Sequence, residues 1–215
     1  MNLIRGSGRR LNDFAGTNVD RLAGISDGIF AVGMTLLVLG LAVPTLSAHS
    51  EADLWRELLR LGPSVLVYTM SFMTLGIFWV GQGTQLNLLA RSNRHYSWLQ
   101  LTFLFSVTLV PFSTGLLARY ATFRVALVVY WLNILLLGIT LLAALQYGLR
   151  AGLFDLTDRP EAIPLMRGRI LIAQSFYAIA TATCLVFPTW VSIALIFLVQ
   201  LNYVIAPRIP ILHRF

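Results

Sequence analysis

Between Ile170 and Pro207 the chain carries no Asp, Glu, Lys or Arg, the longest of several such runs. A single helix over that run would measure roughly 57 Å, nearly twice the ~30 Å hydrocarbon core of a bilayer. It has to fold back on itself. Phe187-Pro188 is the natural break, because proline lacks a backbone donor and disfavours helix in the residue before it. Four earlier uncharged runs, Gly28 to Ser50, Leu61 to Ala90, Tyr96 to Ala118 and Val125 to Leu149, each supply the ~20 residues a crossing helix needs. The pattern predicts an all-α, polytopic membrane protein. It has one domain over 1–215, with six transmembrane helices at about 22–44, 63–89, 97–118, 125–148, 170–187 and 189–206.

Composition agrees, since 57% hydrophobic against 12% charged residues is too apolar a balance for an ordinary soluble domain. The net charge of +7 does not point to nucleic acid, because the arginines sit in short segments between spans and form no basic face. They do orient the chain. With the N-terminus inside, the cytosolic segments hold Arg5, Arg9, Arg10, Arg21, Arg91, Arg94, Arg150, Arg159, Arg167, Arg169, Arg208 and Arg214, against Arg56, Arg60, Arg119 and Arg124 outside. Met1 to Asp20 is polar, without the apolar core of a cleavable signal peptide. Ala48 to Arg60 reads as an external loop or short interfacial helix.

Polar residues gather at the cytosolic ends of the spans: Ser26 and Asp27 in the first, Gln82, Gln85 and Asn87 in the second, Gln100 and Thr102 in the third. Gln146, Gln174, Ser175, Gln200 and Asn202 fall at the same end of the last three. Isolated amides and hydroxyls at such positions are expected to hydrogen-bond between helices. Asp27 is ionisable, and its nearest cation in sequence, Arg21, is six residues away, a poor spacing within one helix. The two are expected to meet through other helices or subunits. Both a structural and a proton-carrying role remain open for Asp27. Val32, Leu36, Leu39 and Val43 recur at helical spacing, which by itself marks only a packing face.

Arg21-Leu22-Ala23-Gly24-Ile25-Ser26-Asp27, followed by Thr35-Leu36-Leu37-Val38-Leu39, resembles the Arg-x-x-x-Phe-Ser-Asp signature of the transmembrane protein 175 family of endosomal and lysosomal potassium channels. Leu109 to Leu117 and Phe78-Trp79 are similar to segments of the same family. Ile25 stands where the family usually has Phe, Gln82 where bacterial members commonly carry His, and Gln100 where many have Asn. The resemblance implies a bacterial plasma-membrane homotetramer that conducts potassium along a central pore lined by the first helix. Carried over by motif position, Val32, Leu36 and Leu39 form a hydrophobic constriction and Thr35 a hydroxyl layer. Arg21, Ser26 and Asp27 then knit the pore helix to its neighbours.

The chain has no Thr-Val-Gly-Tyr-Gly filter loop and no arginine ladder within a span, so neither a carbonyl filter nor a voltage sensor is expected. The alternative is a proton-linked transporter or leak pathway using Asp27, for which His49, His95 and His213 lie in loops or the tail and offer no relay. No nucleophile–base pair or metal-ligand cluster occurs within the spans, and the single cysteine, Cys184, has no partner. An enzyme, a cofactor and a bound metal other than permeating potassium are not expected.

Overall fold

The computed structural model describes residues 18–41 and 50–205. Its elements are α1 (Val19–Leu36, continued by a 3-10 turn Leu37–Gly40), α2 (Glu51–Arg60), α3 (Gly62–Leu86), α4 (Arg94–Thr108), α5 (Val110–Arg119), α6 (Arg124–Arg150), α7 (Ala162–Ala182, continued by a 3-10 turn Thr183–Leu185) and α8 (Thr189–Ile205). Five helical stretches are long and apolar enough to cross a membrane, α4 and α5 counting as one, and α8 is a shorter apolar helix. Among the described residues there is no strand beyond an isolated bridge between Leu89 and Phe154. The chain is an all-α, multi-pass membrane protein.

Local signals explain the helix ends. Asn18 and Asn93 cap α1 and α4, their side chains accepting from the amides of Arg21 and Tyr96 at 2.9 Å. Ser50 caps α2, a ten-residue helix with ion pairs Arg56–Asp53 and Arg60–Glu57 on its exposed surface. At the end of α6, Gly152 sits at φ 61, while the amides of Gly152 and Leu153 bond back to the carbonyls of Leu149 and Gly148. This reverse turn needs a left-handed residue, which glycine adopts without strain. The chain is thereby aimed at the preceding cytosol-predicted loop, where Ala90 donates to Leu153 and Asp155 donates to Leu88. Gly148 is what lets Phe154 close down, since a Cβ there would lie 2.7 Å from its ring.

Three boundaries depart from expectation. The third stretch, expected as one helix over 97–118, is two, broken at Leu109 because Pro111 cannot donate into the helical ladder. The first leaves α-helical geometry after Leu36, and its expected end at Val43-Pro44 lies outside the described residues. The fifth begins at Ala162, eight residues before Ile170, so Arg167 and Arg169 belong to the helix. Uncharged run length marks where a span is greasy, whereas a helix continues into the interface wherever its backbone can.

The core lies around α6, which packs against α4, α5 and α7, while α1 rests on α3 and α4. Phe103 is wedged between Phe30 and Phe78, with ring centroids 6.0 and 6.3 Å away. A set of buried polar groups ties α3, α5 and α6 together: Thr114 donates to Ser71 at 2.8 Å and Ser71 to the Tyr130 hydroxyl at 3.2 Å. Gln200 donates to Thr74 at 2.7 Å, and Thr74 lies 3.2 Å from the same phenol. Gln200 therefore belongs to a network with α3 and α6, apart from the polar residues of the first three spans.

Candidate pore-lining helix

Helix α1 has two faces of opposite kind. Leu22, Ser26, Phe30, Gly33 and Leu37 are buried, a spacing of three and four residues that forms one stripe against α3 and α4. Gly33 sits deepest in that packing, as a Cβ there would touch Leu75 and Val107 at 3.7 Å. On the other side Val32 is 56%, Leu36 44% and Leu39 75% exposed. Gly24, Gly28, Ala31 and Thr35 are exposed beside them. Val32, Leu36 and Leu39 of the apolar stripe predicted from spacing therefore lack a partner among the described residues, and Val43 lies outside them.

Thr35 points its hydroxyl hydrogen back into the helix, where the carbonyl oxygens of Ala31 and Val32 lie 3.0 and 2.9 Å away. That leaves the oxygen lone pairs facing outward. An oxygen so arranged can accept from water or lie against a cation without breaking a helix bond.

The buried face is locked by a polar chain across three helices. Ser26 donates to the Leu22 carbonyl at 2.7 Å, and Gln82 of α3 donates both to Ser26 Oγ at 3.0 Å and to Gln100 Oε1 of α4 at 2.8 Å. Gln100 in turn donates to the Tyr96 hydroxyl at 2.8 Å. Ser26, Gln82, Gln100 and Tyr96 are all at most 2% exposed, so each bond is made where no water competes. Gln82 and Gln100 make the interhelical link, the two amides supplying donor and acceptor without a titrating group.

Asp27 does not meet Arg21. Its Oδ1 accepts from the indole Nε1 of Trp79 at 2.8 Å, and Arg21, exposed at the first turn, makes no ion pair among the described residues. Geometry explains this: six residues at about 100° each put Arg21 and Asp27 roughly 120° apart around the helix, while Trp79 of α3 reaches Asp27. Trp79 stood out in the sequence only as part of a family-like pair, and its polar role did not, because an indole counts as apolar although its N–H must find an acceptor when it enters a span. Gln85 and Gln174 bond instead to carbonyls of α6, those of Leu141 at 3.4 Å and Ile134 at 3.3 Å.

No group of three or more His, Cys, Asp or Glu that could hold a metal ion occurs among the described residues. What α1 offers is a half-exposed apolar and hydroxyl-bearing face, held at fixed rotation by its buried side.

Residues 21–111 match the family model described as endosomal/lysosomal potassium channel TMEM175. A potassium channel of Streptomyces collinus is 35% identical over 148 residues, 66% of this chain and 71% of the relative. A potassium channel of Chamaesiphon minutus is 38% identical over 100 residues, 46% and 49% of the two chains. Among solved structures, the crystal structure of a lysosomal potassium-selective channel TMEM175 homolog from Chamaesiphon minutus superposes with a TM-score of 0.76 at 28% identity. It covers 89% of this chain and 98% of that one.

Proposed function

This chain belongs to the endosomal/lysosomal potassium channel TMEM175 family, and from that membership we propose a potassium-preferring channel in which four copies surround a pore lined by α1. The observation that carries the reading is the two-faced α1. Its outer face holds Val32, Thr35, Leu36 and Leu39 without a partner among the described residues, while Ser26 fixes its inner face to α3 and α4.

Val32, Leu36 and Leu39 form the constriction. Rings of branched apolar side chains close a throat by dewetting, because an ion entering it loses hydration and gains nothing in return. Thr35 forms the hydroxyl layer, where lone pairs replace part of the water shell. Four hydroxyls are weaker ligands than stacked carbonyls, so selectivity for potassium over sodium is moderate. Ser26 and Asp27 hold the pore helix through Gln82 and Trp79, and Arg21 at the helix start serves the same positioning role across subunits. The protein lies in the bacterial plasma membrane, with both termini cytosolic in accordance with the arginine distribution.

The test is the reversal potential of the purified protein in a planar bilayer, first under opposed potassium and sodium gradients and then under a proton gradient. A shift that follows potassium supports the channel; current following protons alone overturns it in favour of a leak through Asp27. Leu36→Ala and Leu39→Ala should each raise conductance by widening the throat, and Thr35→Val should bring the potassium-to-sodium permeability ratio closer to one. Unchanged currents in both leucine variants would remove them from the constriction.

A further inference from the structure

A cavity of about 710 Å³ opens between α3, α7 and α8, outside the proposed pore. Its volume is that of a small-molecule site. The wall is mainly apolar, with the polar groups of Thr84, Gln85, Gln174 and Tyr177 also on it, and Arg169 and Tyr203 stand together as its charged end. Along α3 it extends from Phe72 to Gln85, roughly 20 Å of helix. That is close to the depth of one leaflet, about half of the ~30 Å hydrocarbon core. Phe72 and Val80 at its rim are exposed, so the cavity is reachable from the side.

Arg169 is exposed and makes no ion pair among the described residues. It sits within electrostatic reach of Tyr203, whose phenol is a second donor at the same mouth. No Asp or Glu lines the cavity. A cation and a phenol at one end, one leaflet's depth of apolar wall behind them and no carboxylate describe an acceptor for an anionic headgroup with a hydrocarbon tail.

We propose that this cavity binds an anionic phospholipid of the cytosolic leaflet, its phosphate held by Arg169 and Tyr203 and one acyl chain lying between α3 and α7. The chain lies against Met34 of α1 and against Trp79, the residue that bonds Asp27. The lipid is thus in contact with the two points where the cavity wall meets the pore helix. The leaflet assignment rests on the orientation proposed above; the binding itself does not rest on conduction.

The experiment is native mass spectrometry of the full-length protein incubated with phosphatidylglycerol or phosphatidylcholine of identical acyl chains. Wild type should retain phosphatidylglycerol about ten-fold more tightly, the scale of one charge-assisted contact, and Arg169→Gln should abolish that preference. Gly76 lines the cavity and has open space at its Cβ position, so Gly76→Phe should fill the cavity without disturbing the fold and remove retention of both lipids. Ala173→Phe fills it from the opposite wall and should do the same. Retention unchanged in both filled variants, a preference that survives Arg169→Gln, or a second copy of the chain cross-linked into the cavity would each overturn the proposal. Because lipid retention is read without current, a failed conduction assay leaves this result separately decidable.

Discussion

Gly138 on α6 shows how closely one residue can set the approach of two helices. A Cβ there would lie 2.1 Å from Gln174 Nε2 and within 2.8 Å of Cγ, so the Gln174 side chain occupies the space that any other residue would fill. Gly138→Ala must expel Gln174 from the Ile134 carbonyl it bonds at 3.3 Å. We expect a loss of about 1–2 kcal/mol, in the range of overpacking plus a lost interhelical bond. Gly138→Ala/Gln174→Ala should recover most of it, and a double-mutant cycle of unfolding in detergent measures the coupling. At this scale the sequence was partly readable. Ser26, Gln82 and Gln100 stood out as polar groups at one depth, and the structure joins them. Gln200, at a matching position in its own span, goes to Thr74 and Tyr130, because depth does not reveal which neighbour a side chain faces.

For the helices as elements, the bond from Trp79 to Asp27 joins α1 to α3 outside their buried seam. Asp27→Asn keeps a carbonyl oxygen for the indole N–H, whereas Asp27→Ala and Trp79→Phe each remove one partner. The alanine and phenylalanine variants should therefore lose similar stability, about 1 kcal/mol, with Asp27→Asn milder. Thermal unfolding of the three proteins checks the order; equal loss in all three would mean that the carboxyl group serves something other than this bond. Helix existence was legible from uncharged run length, and the Phe187-Pro188 break from proline chemistry. The split at Leu109 could have been read from Pro111 by the same rule, but an unbroken apolar run masked it. The extension of α7 back to Ala162 was hidden for the opposite reason, because arginines that reach an interface do not end a helix.

For the whole molecule, the exposed strip Gly24, Gly28, Ala31 and Thr35 repeats at four, three and four residues, a spacing that lets helices approach closely in a membrane. A Cβ on Gly28 meets nothing within 4 Å in the subunit. If four copies assemble as proposed, Gly28→Leu should leave the chain's helicity unchanged while shifting native mass from four copies of the 23.9 kDa chain toward one. A variant that remains tetrameric would move the proposed contact elsewhere. Composition and periodicity of one chain do not give the proposed assembly; family resemblance implies it, and the face of α1 that lacks a partner among the described residues is what supports it.

The outward direction of Thr35 has a mechanical consequence. At about 100° per residue, Val32 and Leu36 lie roughly 40° apart, the 3-10 turn brings Leu39 back to the side of Leu36, and Thr35 lies roughly 60° from Val32 in the other direction. Both linings ride on a single rod. If α1 lines the pore as proposed, a rotation about its own axis exchanges an oil-like wall for an oxygen-bearing one with no bend in the backbone, at the cost of the Ser26–Gln82 bond that holds its buried side. Whatever turns the helix then sets wetting and ion preference together, as two readings of a single angle.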